Sequence, residues 1–234
     1  MNWFRAKNII LLLMIALNIF LLTYIIAYAN SWGVSNETIQ TAEKILSGRG
    51  INLECEIPTY CSDTQRLKYG KSENKKSFTY DVHIDAKEKA IRKFLNSKGI
   101  VNSSYILDGT SNNQNGSIVF NFIQKYKGFL VFDSYIKVTL TNKDQVFLEL
   151  SRKQINGFSV DKTGDIAAAY QILLGNFDGS RQVTITDIDI GYKDTDIQER
   201  DNIEYMEQPP VWRIKIKGLD EPAYFRTSDG KEIK

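Results

Sequence analysis

Residues 9–29 contain no charged side chain, and the strongly polar one among them is Asn18. At 1.5 Å of rise per residue, a helix of that length spans the roughly 30 Å hydrocarbon core of a bilayer. Beyond it the pattern breaks into short amphipathic pieces. Ser35 and Asn36 suit a helix N-cap, and Ile39, Ala42, Ile45 and Leu46 follow at helical spacing until Gly48. "INLECEIP" alternates as a strand, with Ile51, Leu53, Cys55 and Ile57 on one face and Pro58 as the stop. "SFTYDVHI" alternates again, placing Phe78, Tyr80, Val82 and Ile84 together and His83 opposite. Asp85 then caps a predicted helix bearing Ala86, Ala90, Ile91, Phe94 and Leu95, which ends near Gly99.

The polar stretch "LDGTSNNQNGS" reads as a break between subdomains. After it, residues 117–155 predict three strands, with turns near Lys127-Gly128 and at residues 142–144. A helix follows Asp161 and Thr163, with Ile166, Ala169, Tyr170, Leu173 and Leu174 as its apolar stripe. "VTITDIDIGY" is a further strand, then comes a charged loop from Lys193 to about Gln208. "VWRIKIKG" and "AYFRTSDGKEI" close the chain as strands, the latter around a Ser-Asp-Gly turn. Helices interleaved with antiparallel hairpins indicate an α+β fold, with helices packed on sheet faces. The expected organisation is a head at 1–8, a transmembrane helix at 9–29, and two extracytoplasmic subdomains at 34–110 and 111–234.

Charge sharpens the picture. Arg5 and Lys7 precede the apolar run, and the remainder carries 28 basic and 28 acidic residues. A neutral, mixed surface lacks the clustered basic footprint of a nucleic-acid binder. The positive-inside tendency puts the head in the cytoplasm and the large part outside, with Tyr24, Tyr28 and Trp32 toward the outer interface. Ala27-Tyr28-Ala29 has the form of a signal-peptide cleavage site, but the run exceeds the usual 7–15 apolar residues, favouring an uncleaved anchor. Asn18 shares a helix side with Leu11, Met14, Ile15, Leu22 and Ile25, a candidate contact face for another span. The plain alternative is an amide satisfied by its own backbone or by water.

Little else suggests chemistry. His83 is the one histidine, so any serine triad or Cys–His pair would need it. Its place opposite the apolar face suits a solvated residue instead. Cys55 and Cys61, six positions apart around Pro58, can form a disulfide outside the membrane or stand as two thiols; one histidine and two cysteines at that spacing match no common zinc site. Asp187 and Asp189 share a face, with Asp194 and Asp196 after them, but their alternation with isoleucines suits a solvated strand face. No calcium loop, phosphate loop, dinucleotide fingerprint or His-Glu-x-x-His motif occurs. No catalytic constellation, cofactor or metal is expected.

The head pattern Trp3-x-Arg5-Ala6-Lys7, followed by Leu17-Asn18-x-Phe20-Leu21, resembles that of the YycI (WalI) family, small bitopic proteins of Gram-positive bacteria. Gly50-Ile51 with the alternation up to Pro58 looks like that family's first strand. Pro210-Val211-Trp212-Arg213-Ile214, Tyr224-Phe225 and Asp229-Gly230-Lys231 look like its closing strands. The resemblance implies a non-enzymatic regulator. It would act with a second anchored protein, YycH, on the sensor histidine kinase WalK (YycG) of a two-component system controlling the cell wall, partly through transmembrane-helix contacts. An extracytoplasmic binding module for a wall or lipid ligand is the alternative expectation.

Overall fold

The computed structural model describes residues 3–31, 34–59, 65–70, 73–113, 115–142, 144–162, 166–194, 206–219 and 221–233; for 3–6, 9, 24–31, 73–74 and 161–162 it describes the backbone alone. The fold is α+β, with four helices and mainly antiparallel sheets among the described residues.

Helix α1 (Trp3–Ser31) comes first. Its described side chains from Ile10 to Thr23 are all exposed. Among the described residues no helix is long and apolar enough to cross a membrane. Helix α2 (Asn36–Gly48) begins as its sequence directs: the Ser35 hydroxyl accepts from the Thr38 N–H at 3.2 Å. It buries Ile39, Ala42 and Leu46. Strand β1 is only Ile51–Leu53, so the longer predicted strand is cut short. It runs parallel to β9 (Val183–Tyr192), a pairing that local alternation cannot specify.

Strand β3 (Glu73–Asp81) ends before Val82 and His83, which the alternation had placed inside it. Its apolar face is only partly covered. Helix α3 (Glu88–Ser97) reaches Tyr80 through an edge contact with Phe94, at 5.3 Å between ring centroids, but leaves Phe78 42 % exposed. Lys87, not Asp85, is the N-cap of α3, and Asp85 contributes only its backbone carbonyl to the Lys87 N–H. Ile91 and Leu95, one turn apart, are fully buried.

The expected break is a hairpin. Strand β4 (Tyr105–Asn112) pairs antiparallel with β5 (Ile118–Tyr126), and Gly116 at positive φ lies in the turn between them. Strands β6 (Phe129–Leu140) and β7 (Gln145–Arg152) follow as predicted, with Lys127-Gly128 at the first turn. Helix α4 (Ala169–Asn176) starts later than expected, and the Ala168 N–H is satisfied by the Gln171 side chain at 2.8 Å. Strands β11 (Pro210–Ile216), β12 (Ala223–Arg226) and β13 (Glu232–Ile233) close the chain.

Ten strands form one sheet, in the order β13-β12-β11-β9-β6-β5-β4, with β1 on β9, β7 on β6 and β3 on β7. Strands β2 (Gln65–Tyr69), β8 (Ile155–Lys162) and β10 (Met206–Gln208) make a second, small sheet that local pattern did not reveal. The large sheet divides at β6. Leu130 and Val131 pair in parallel with Gly191 and Tyr192 of β9, whereas residues 135–140 pair antiparallel with β7.

Each branch has its own core. One packs α2 and α4 on β1, β9, β11 and β12 around Leu46, Leu173, Ile185 and Trp212; the other packs α3 on β4–β7 around Phe122, Ile136 and Leu148. Burying one such side chain contributes about 1.5–3 kcal/mol, so either branch carries substantial stabilisation of its own. Ile123, Leu130, Phe132 and Val211 bridge the two.

Candidate functional site

Charged side chains concentrate where the branches meet, and among them are Asp187 and Asp189, which the alternation had put on a solvated strand face. On β9 and β11 the register sets Arg213 opposite Asp189 and Lys215 opposite Asp187, while Trp212 and Ile214 turn the other way onto the helices. The aspartates of β9 therefore face cations across the strand pair, although 42 % of the Asp187 side chain and 26 % of the Asp189 side chain remain exposed. Arg213 Nε donates to Asp189 at 3.1 Å, and its two terminal nitrogens form a fork–fork pair with Asp108 at 2.7 and 2.8 Å. Asp108 lies at a register shift in β4 between Leu107 and Gly109, the kind of bulge that re-aims a side chain. Lys215 Nζ completes the group, 3.1 Å from Asp108 and 3.2 Å from Asp187. The Arg213 guanidinium also lies 4.8 Å from the centre of the Phe132 ring.

Only 2 % of the Arg213 side chain is exposed, so its charge is sustained by partners and not by water. Burial works against the charge, but Asp108 and Asp189 outweigh it and hold the guanidinium protonated. Burial likewise raises the Asp108 carboxyl, yet Arg213 and Lys215 leave it below the usual carboxylate range. Asp189 goes the other way: burial outweighs Arg213, with Asp187 close by, and its carboxyl is raised.

A second group fills the fork itself. Lys153, just beyond β7, has 1 % of its side chain exposed and reaches Asp194 at 2.5 Å and Asp133 at 3.5 Å. Asp133 is in β6 between its two pairing partners, and Asp194 follows β9, so one lysine ties the strands that part there. Tyr69 donates its hydroxyl to Asp194 at 2.5 Å and lays its ring 4.3 Å from the Lys153 nitrogen; the Gln208 amide also donates to Asp194. The small sheet, through β2 and β10, is thereby bound to the fork. Burial, more than Lys153 offsets, raises the Asp133 carboxyl.

In each group every charge has an opposite charge within 4 Å, and no nucleophile stands beside a base. His83 is exposed, as its sequence position suggested, and its Nδ1 meets Asp144 at 2.5 Å. Among the described residues no group of three or more metal-ligating side chains converges. Cys55 is half-buried, and burial with Asp187 and Asp189 nearby pushes its thiol up to about 11. Its proposed partner Cys61 lies outside the described residues, as does Asp196.

On α1, the Asn18 amide donates to the Met14 carbonyl at 2.9 Å, a bond within its own helix. Leu11, Met14, Ile15 and Leu22 are 50–62 % exposed; the Ile25 side chain lies outside the described ones. Val34, three residues beyond the end of α1, packs on the helical core and its N–H donates to the Thr59 carbonyl at 2.9 Å.

Asp108, Asp133 and Lys153 were not singled out from the sequence, and Arg213 entered only as part of a closing-strand motif. The usable signal was the alternation Arg213-x-Lys215 in one strand against Asp187-x-Asp189 in another, which are complementary at period two. No curated protein matches the chain. The family described as YycI protein matches residues 71–226, about two thirds of the chain, and this range holds the charged residues of both groups and the Pro210–Ile214 and Tyr224-Phe225 motifs of the resemblance, but not its head. The chain belongs to the YycI family.

Proposed function

We propose that this protein is a membrane-anchored, non-catalytic regulator of a WalK/YycG-type sensor histidine kinase, acting with a YycH-like partner. Family membership points to regulation of that two-component system. The observation that carries the anchored reading is α1, on which the described side chains from Ile10 to Thr23 are exposed and nearly all apolar. Fourteen residues make only about 21 Å of helix. In the sequence, however, the uncharged run continues to Ala29, which brings the whole segment to membrane thickness. With the head cytoplasmic and the α+β part outside, a carboxamide at Asn18 still has a second N–H and an acceptor oxygen for a neighbouring span.

Such a protein shifts a kinase only through unequal contact with its two signalling states. A coupling of about 1–3 kcal/mol suffices, within reach of one helix face plus an outer interface. The alternative of a lipid or wall-fragment module called for a deep apolar cleft. Of the two cavities described here, the one of about 370 Å³ mixes apolar Val82, Ile84 and Leu140 with polar His83, Asp85 and Asp144, and the one of about 200 Å³ sets Ile100 and Tyr105 beside Asn102 and Arg152; neither is a deep apolar cleft, which favours the regulatory reading.

The test is crosslinking in intact cells from positions along α1 and on the outer part, with identification of what is captured. Capture of the kinase and of a second anchored protein supports the proposal. Full regulation by a secreted form lacking residues 1–31 would refute it.

A further inference from the structure

The polar stretch at 107–117, which folds into the β4–β5 hairpin, carries one of the two Asn-Gly pairs of the chain, Asn115-Gly116; the other is Asn156-Gly157. An asparagine before glycine is open to attack by the glycine nitrogen on its side-chain carbonyl, because no Cβ crowds the approach. The fold holds the two pairs differently. Asn156-Gly157 lies within β8, where Gly157 pairs with Lys68 of β2 and the register shifts at the next position. Asn115 and Gly116 are both exposed, in a turn.

In that turn Asn115 Oδ1 accepts from two donors of one residue, the Ser117 N–H at 3.1 Å and the Ser117 hydroxyl at 2.5 Å. Ser117 is buried, and its hydroxyl oxygen accepts from the Asn113 amide at 3.3 Å, which leaves the hydroxyl proton directed at Asn115. Both donors thus meet the oxygen on which negative charge develops when Cγ is attacked, the arrangement that stabilises acyl-transfer intermediates. The Gly116 N–H donates to the Asn113 carbonyl at 2.9 Å, within the same exposed turn, so local opening of that turn frees the nitrogen.

We propose that Asn115 is a site of spontaneous deamidation, promoted by Ser117. The Gly116 nitrogen gives its proton to solvent base and bonds to Asn115 Cγ, and the negative charge passes to Oδ1, where Ser117 holds it. The bond from Cγ to the side-chain nitrogen then breaks, and that nitrogen leaves as ammonia with a proton from water. Water next opens the resulting succinimide at either carbonyl, giving aspartate or, with the backbone routed through Cβ and Cγ, isoaspartate. The sum is asparagine and water to acid and ammonia, with nothing oxidised or reduced. Gly116 lines the cavity of about 370 Å³ together with Asp85 and Asp144, so the reaction adds a carboxylate beside a wall that already holds two. The isoaspartyl product also lengthens the backbone next to Gly116, where even a Cβ would stand 2.6 Å from the Asn142 amide. The site is independent of α1 and of the kinase reading, and it gives the outer part a covalent record of its age.

The test ages the full 234-residue chain in detergent micelles at neutral and mildly alkaline pH. Peptide mapping by mass spectrometry follows both Asn-Gly sites, and isoaspartyl methyltransferase labelling identifies the isoaspartyl product. Asn115 is expected to convert ahead of Asn156, and faster as pH rises, because the attacking nitrogen must lose its proton. In the urea-unfolded chain, where neither site keeps its surroundings, the two rates should converge. Ser117→Ala should slow Asn115 by about three- to tenfold, the rate equivalent of one net hydrogen bond, and leave Asn156 unchanged. No conversion at Asn115, conversion of Asn156 at an equal rate in the folded chain, or an unslowed, folded S117A chain would overturn the proposal. The comparison of the two sites needs no variant, so it decides the matter even where S117A fails to fold.

Discussion

Arg213 of β11 and Asp108 of β4 are 105 positions apart in the chain and lie on strands separated by three others in the sheet, yet they form a bidentate ion pair at 2.7 and 2.8 Å. The sheet must curl strongly for β4 to come this close to β11. The pair then joins the branch built on α3 to the branch built on α2 and α4. Its energetic weight follows from burial. A matched buried pair adds little net stability over an apolar replacement, whereas removing one member leaves uncompensated charge.

Arg213→Met is therefore expected to cost about 3–5 kcal/mol, because Asp108 and Asp189 lose their common partner. Asp108→Asn in the same chain should recover part of that loss. Urea unfolding of both variants measures it, and a loss below about 1 kcal/mol would show that the cluster does not hold the branches together. Because Asp108 is held below its ordinary 3.8, its contribution is present above that value and fades as pH falls through the lowered one. R213M should lose that acid-side slope.

Gly191→Ala tests the fork directly. A Cβ there would stand 2.4 Å from the Leu130 carbonyl and 2.8 Å from the Phe132 ring. The parallel contact of β6 with β9 has no room for it. The expected cost is about 1–3 kcal/mol, as for overpacked cores. Gly109→Ala, with nothing near its Cβ, is the comparison. Equal melting shifts for the two would sink this account of the fork.

His83 reports on its own loop. The hydrogen bond and charge of Asp144 raise its pKa above the ordinary 6.5. A histidine raised in this way contributes stability fully below its unfolded value and loses it as pH rises through the folded one. As the one histidine of the chain it gives a single resolvable imidazole signal. NMR titration should show Asp144→Asn returning it toward 6.5, and an unchanged midpoint would remove Asp144 as the cause.

Asn18→Leu should leave the helix intact, since its bond to Met14 is local and a leucine fills the same exposed position. Recovery of the kinase with the protein from membranes should fall by the modest amount that one interhelical hydrogen bond represents, about 0.6–2 kcal/mol. Undiminished co-purification would retire Asn18 as a contact residue.

Much of the architecture was legible because it is written locally. The α2 cap at Ser35, the stripe of Ile91 and Leu95, the Lys127-Gly128 turn and the alternation of β9 each depend on neighbours within a few positions. Errors came where local pattern is weak. Strands β2 and β10 are short and polar, and they exist because β8 and the fork supply partners. Strand β1 was read too long because alternation does not say where the partner, β9, turns away.

By itself the sequence determined the uncharged opening run, the α+β class and the order of most elements, each of which follows from composition or from period, and its motifs at the two ends carried the likeness to the YycI family. Tertiary structure alone decided that Asp187 and Asp189 stand opposite cations and that Lys153 is buried in a fork. The physical reason is that a charge's environment depends on which distant strand lies opposite it. Register, bulges and the division of β6 set that relationship, and none of them is expressed in the spacing of neighbouring residues.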